Sequence, residues 1–202
     1  MTQPHGGADL KPLYVTDTAR RDALAEDAEG LPGLLLNSAA AANAVMLGAG
    51  YFSPLPGYMN KADTLSVARD MHTAGGLFWP VPCLNLTGEA IGRAGRIALR
   101  DPNVDGNPVL AIQDVETVET LSDDELRLVT EKVFGTLDPK HPGVATLVSL
   151  GRQVISGPIQ VLNYSYFEHD FPDTFRTAPQ IRKAIADAGW KKVVAFQTRN
   201  PM

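Results

Sequence analysis

Four consecutive polar side chains, Gln197, Thr198, Arg199 and Asn200, offer an amide, a hydroxyl, a guanidinium and a second amide. Arginine is the planar, permanently charged partner for tetrahedral oxyanions, and neutral donors complete such a contact. The quartet stands directly behind the apolar run Val193-Val194-Ala195-Phe196. That order predicts a buried strand delivering donors at its carboxyl end, where ligands sit in parallel α/β sheets. The chemistry expected is anion binding, and the competing reading is an ordinary polar loop behind a strand. A helix starting after Pro201 would add its N-terminal N–H groups to the same site. The chain stops at Met202, which makes a truncated form the expectation.

The element that must place this quartet lies just upstream. Thr177-Ala178-Pro179-Gln180 reads as a helix start, with proline inside the first turn and a Thr…Gln capping box. Ile181, Ala184, Ile185 and Ala188 fall on one face, and Gly189 suits the residue after the helix. Helix then strand is the grammar of a parallel α/β unit. A lone unit cannot cover both faces of its strand, so the remainder of a second domain is expected to be absent or supplied from elsewhere. Phe171-Pro172-Asp173 marks the boundary, giving a first domain over 1–171 and the start of a second over 172–202.

Upstream, the pattern predicts a compact barrel with a few helices, an α+β chain as a whole. A charged helix is expected over 18–28, and Leu34-Leu35-Leu36 reads as a short strand. Ser38 is placed to cap a helix running through the alanines to Leu47. The stretch Gly48 to Met59, dense in glycine, proline and aromatics, reads as a rigid loop with a structural role. Leu77 to Leu84 reads as a strand that its prolines confine to an edge or bulge. Arg96–Arg100 and Val109–Val115 flank Asp105-Gly106-Asn107, a hairpin. Ser122-Asp123-Asp124-Glu125 is a capping box ahead of an apolar stripe at Leu126, Val129 and Val133. Gly151 to Val161 returns as strand, with a bend at Ser156-Gly157-Pro158.

Other chemistries fare less well. Hydrophobic residues at 44% and charged residues at 20% describe an ordinary folded chain, and a net charge of −5 argues against coating nucleic acid. No basic stretch followed by an apolar one marks a signal peptide, and no apolar run is an unbroken membrane span. The one cysteine, Cys83, sits in apolar sequence and reads as an inert core thiol; with no internal disulfide possible, a reducing cytoplasmic setting is expected. Asp138 and His141 have metal-ligand types, but two prolines make their segment a turn and the expected role is structural. His5, His72 and His169 read as surface or packing residues. No protein-ligated metal site is expected. Neither a Gly-x-x-x-x-Gly-Lys phosphate loop nor a Gly-x-Ser-x-Gly elbow occurs.

A series of segments in fixed order carries a family resemblance: Gly50-Tyr51-Phe52-Ser53-Pro54-Leu55-Pro56-Gly57-Tyr58-Met59, Trp79-Pro80-Val81-Pro82, Ile97-Ala98-Leu99-Arg100-Asp101, Phe134-Gly135-Thr136-Leu137-Asp138 with His141-Pro142-Gly143, Gly189-Trp190, and Phe196 to Met202. It resembles ATP sulfurylase, the sulfate adenylyltransferase family, in its single-polypeptide homo-oligomeric form. The resemblance implies a PUA-like β-barrel followed by a Rossmann-like catalytic domain. It implies the reversible reaction of ATP and sulfate to adenylyl sulfate and pyrophosphate, with Mg²⁺ on the nucleotide. Carried onto this chain, Gln197 and Arg199 would hold sulfate, and Gln197, Arg199 and Asn200 would face the nucleotide, with Thr198 in the same motif. The family pattern continues with a His-x-x-His pair and later nucleotide-binding segments that are not in these 202 residues. A form without activity of its own is therefore expected, with apolar faces over 177–202 left open to association. The alternative is a PUA-like module that binds a partner without catalysis.

Overall fold

The structure, a computed structural model, describes residues 3–7 and 9–196. In chain order it contains α1 (Thr18–Glu29), β1 (Gly33–Leu35), α2 (Ser38–Gly48), β2 (Gly57–Tyr58), α3 (Lys61–Asp70), β3 (Leu86–Thr87) and β4 (Arg96–Arg100). These are followed by β5 (Val109–Asp114), β6 (Thr117–Thr120), α4 (Asp123–Phe134), α5 (Pro142–Ser149), β7 (Gln153–Val161), α6 (Phe167–Asp170) and α7 (Ala178–Asp187).

The strand β7 is the spine. Along one edge it pairs antiparallel with β5 and, after the two-residue step Val115-Glu116, with β6. On the other edge the N–H groups of Ile155, Ile159 and Val161 donate to the carbonyls of Asn85, Pro56 and Leu13. That edge is thus shared by the segment before α1, by β2 and by β3. Alternation of N–H direction along an extended chain is what lets one strand bind neighbours on both sides. The sheet extends through β5 to β4 and β1, and a bulge between Leu99 and Arg100 bends it.

The expected bend at Ser156-Gly157-Pro158 is accommodated inside β7 without ending it. Gly157 has φ 137°, and a β-carbon there would lie 2.0 Å from the carbonyl oxygen of Asp114. Across the other edge, a β-carbon on Gly57 would lie 2.1 Å from the carbonyl oxygen of Gly157. Two glycines therefore let three backbones approach where β5 gives way to β6.

The core lies on β5 and β7. Ile97, Leu99, Leu110, Ile155 and Val161 are fully buried and pack with Leu34, Leu47 and Trp79. The alanine-rich α2 lies against β5 and β7, its Gly48 nearly touching Val161. Its small residues are what permit that approach. One polar pair sits within this core: Asn85 Nδ2 donates to Gln113 Oε1 at 3.1 Å, and Gln113 Nε2 donates to the Ile155 carbonyl at 3.3 Å. Both side chains are buried, so the bonds tie β3, β5 and β7 to one register.

Several local expectations are corrected. Asn37, not Ser38, caps α2, accepting from the Ala40 N–H; Ser38 Oγ instead bonds Asn103. Residues 77–84 form no strand beyond a single bridge from Phe78 to His72, because Pro80 and Pro82 remove ladder donors. Three helices had no counterpart in the sequence reading. α3 is capped by Asn60, and α5 starts at Pro142 with His141 as its cap. The third is the one-turn α6. The capping box at Ser122 and Glu125 forms as expected, both of its bonds present.

Candidate functional site

The segment leading to the predicted anion motif leaves the body at α7. Its first turn follows the sequence signals: Thr177 is the N-cap, its N–H donates to Gln180 Oε1 at 2.8 Å, and Pro179 stands inside the turn. Gly189 adopts φ 66° just beyond the helix, the left-handed geometry expected of it.

Two hydrogen bonds and the packing of Phe175 on the core fasten this start to the body, and a further set of bonds orders the segment itself. The Ala178 N–H donates to the Ala49 carbonyl at 2.9 Å. Tyr51 Oη donates to the Arg176 carbonyl at 2.8 Å. The Arg176 guanidinium donates to the carbonyls of Pro172, Asp173 and Phe175, which wraps 172–176 around the charge. Tyr51 and Arg176 are the residues that sequence reasoning missed. The density of aromatics in Gly50-Tyr51-Phe52 was the available signal, but the bond spans 125 positions, beyond any local pattern.

Past its first turn the helix is only partly covered, with Arg182 and Ile185 half-buried. Ala178 is its one buried residue, and Ile181 on the apolar stripe is 40% exposed. The run that follows is barer still: Trp190 63%, Val194 93% and Phe196 75%. Among the described residues no strand pairs with 193–196, so the expected strand is not formed. An extended chain becomes a strand only when neighbours take its N–H and carbonyl groups, and here it has none. Gln197, Thr198, Arg199 and Asn200 lie outside the described residues.

Between α7 and the body runs a groove of about 270 Å³ lined by His5, Gly50, Tyr51, Ser53, Ala178 and Ile181. It adjoins an apolar cavity of about 360 Å³ under Phe78 and Trp79, with His5, Tyr51 and Ser53 common to both. Among the described residues that line them, no paired acid and base faces either space.

The remaining candidates fall into structural roles. Cys83 is buried, and burial pushes its thiol up to about 12, leaving it protonated and unreactive at neutral pH. His141 Nδ1 accepts from the Val144 N–H at 3.4 Å and its ring lies against Phe134, while Asp138 caps its own turn. His5 bonds the Phe78 carbonyl, His72 bonds the Asp70 carbonyl, and His169 is exposed. Lys61 holds the Glu125 carboxyl below its usual range at 2.7 Å, with Ser122 adding to the effect. Asp123 pairs with Arg152. Among the described residues no three His, Cys, Asp or Glu side chains gather as a metal site. No described helix is long and apolar enough to cross a membrane.

Comparison with known proteins adds the following. A PUA-like domain model matches residues 2–164. Sulfate adenylyltransferases of Alcanivorax borkumensis and Allochromatium vinosum are each 59% identical over all of this chain, which covers 51% of each. That of the Riftia pachyptila sulfur-oxidizing endosymbiont is 52% identical, again over the whole chain and 46% of the relative. The chain thus spans about half the length of the curated relatives it matches. A solved structure described as a hexameric APS kinase from Thiobacillus denitrificans superposes with a TM-score of 0.72 at 26% identity, covering 99% of this chain and 34% of that one.

Proposed function

We propose that this chain, which belongs to the PUA-like domain family, is part of a sulfate adenylyltransferase. The observation that carries the reading is 59% identity across the entire chain to two relatives bearing that name. The order of motifs ending in Gln197-Thr198-Arg199-Asn200 agrees with it. In this reading, residues 1–171 form the PUA-like domain and 172–202 begin the catalytic one.

The reaction joins two anions. A sulfate oxygen attacks the ATP α-phosphorus in line, an O–P bond forms, the bond to the β-phosphate oxygen breaks, and pyrophosphate leaves. No covalent enzyme intermediate is required. The protein's contribution is to hold the reactants together against their repulsion and to stabilise developing charge. Gln197 and Arg199 hold sulfate; Gln197, Arg199 and Asn200 face the nucleotide phosphates; Thr198 donates within the same motif. A neutral residue at 199 would leave the repulsion unopposed. Mg²⁺ enters with ATP as part of the substrate. The assembly is a cytoplasmic homo-oligomer, without nucleic acid or membrane as a partner.

The second reading is a non-catalytic PUA-like module, favoured by a family match that stops at residue 164. Its RNA-binding version sits poorly with a net charge of −5.

One assay separates the two: ATP formation from adenylyl sulfate and pyrophosphate with Mg²⁺. We expect none from the 202 residues alone. Mixing them with the separately produced remainder of the Allochromatium vinosum relative restores ATP, and Arg199→Ala then lowers the rate by roughly 10²-fold or more. A mixture that associates yet forms no ATP, or activity indifferent to Arg199→Ala, contradicts the enzyme reading.

A further inference from the structure

We propose that the turn between β4 and β5 binds a hard divalent cation, calcium in preference to magnesium, on oxygens of Asp101, Asn103, Asp105 and Asn107. The site is separate from the sulfate chemistry above and does not depend on it.

The observation that carries this is an orphaned carboxylate oxygen. Asp101 directly follows β4 and is fully buried. Its Oδ1 accepts from the Asn103 N–H at 2.8 Å, which turns the carboxylate into the loop. Its Oδ2 is buried as well and meets no hydrogen-bond donor. Among the described residues no Lys, Arg or His forms an ion pair with it. A buried carboxylate oxygen without a partner is costly, and a cation is the partner best able to offset that cost. Calcium sits about 2.4 Å from its oxygen ligands, so its seat is narrower than a water molecule. An oxygen closed to water can therefore still face an ion.

The loop has the matching composition. Asp101-Pro102-Asn103-Val104-Asp105-Gly106-Asn107 carries Asp, Asn and Asp at alternate positions, then glycine. That is the opening half of a calcium loop, in which the first, third and fifth side chains and the seventh carbonyl supply oxygens and a glycine at the sixth makes the turn. Gly106 takes φ 79°, the left-handed geometry such a turn needs. Asp105 is exposed, its carboxylate available. Ser38 Oγ donates to Asn103 Oδ1 at 2.8 Å and Asn107 Nδ2 donates to the Asp101 carbonyl at 2.9 Å, so the loop is already ordered and tied to the start of α2. Arg100 also touches the loop: its Nη1 donates to the Asn107 carbonyl at 3.3 Å. Its Nη2 pairs with Glu29, which offsets the charge, and the carbonyl keeps a second lone pair. The loop departs from the full pattern at the twelfth position, where Ile112 is buried in β5 in place of a bidentate Glu. With only two carboxylates, the Kd expected is about 10⁻⁴–10⁻³ M. Mixed amide, carbonyl and carboxylate oxygens favour calcium, because magnesium demands near-ideal octahedral geometry and gives up water reluctantly.

The test is a titration of the 202-residue chain with CaCl₂, and in parallel with MgCl₂, at an ionic strength held constant with KCl. Backbone amide shifts are followed by NMR. We expect saturable shifts concentrated over Asn103–Asn107, with magnesium weaker by roughly tenfold or more. Two variants are titrated beside the parent. Asp101→Asn keeps the shape and the Oδ1 acceptor but removes the charge. Asp105→Asn alters an exposed side chain and leaves the core untouched, so it decides the matter if the buried substitution does not fold. Each weakens calcium binding by roughly tenfold or more, because affinity in such loops follows the number of charged ligands. An Asp101 that serves only to cap the turn predicts no saturable shift at all. No saturable shift over 103–107 with either ion up to about 20 mM, well above the Kd expected for two carboxylates, overturns the site. Calcium binding that is the same in the parent and in Asp105→Asn overturns it too. Tighter binding of magnesium than of calcium overturns the choice of ion.

Discussion

The sheet around β7 and the segment from α7 to Phe196 obey the same rules with opposite outcomes. β7 has neighbours on both edges, α2 lies against it, and Val154, Ile155 and Val161 are buried. Val193, Val194 and Phe196 are as apolar, yet they are 51%, 93% and 75% exposed and unpaired. Sequence type alone therefore does not make a strand; the supply of neighbours does. The body contains its own neighbours within the described residues, and the outgoing segment does not. The curated relatives, about twice as long, are where such neighbours are to be sought.

The largest break in the comparison comes from the body. Gly157→Ala places a β-carbon 2.0 Å from the Asp114 carbonyl at a φ that L-residues rarely adopt. We expect a loss of more than about 4 kcal/mol, enough to prevent folding, read as a missing or strongly shifted urea transition. Next comes the buried amide pair. Asn85→Ala strands Gln113 Oε1 without its donor and costs about 1–3 kcal/mol in the same urea measurement. The smallest effect sharpens the contrast. Trp190→Ala removes the largest side chain of the outgoing segment, yet it is 63% exposed, so stability changes by less than about 0.5 kcal/mol.

The features legible in the sequence are those whose signal is local. The Ser122–Glu125 box, the 96–115 hairpin and the Thr177-Pro179-Gln180 helix start each depend on residues a few positions apart, and all three form. The helix α3 was legible in principle from Asn60, Asp63 and Val67, but its stripe is short and polar residues interrupt it. Residues 77–84 misled because apolar content outweighed two prolines. The single-bridge and two-residue pairings onto β7 depend on partners tens of residues away, which no local pattern encodes. At the candidate site the quartet 197–200 was legible from residue types and from the family resemblance. The Tyr51–Arg176 link was not, since nothing near either residue in sequence points to the other.

The measurement that tests the contrast most directly is a hydrogen–deuterium exchange profile of the whole chain by mass spectrometry. The account predicts the slowest exchange in peptides from β4, β5 and β7, intermediate exchange in α7, and near-unprotected exchange over 190–196. Protection over 190–196 as strong as that of β7, in a monomeric sample, would mean that the body covers the segment after all, and would contradict the account.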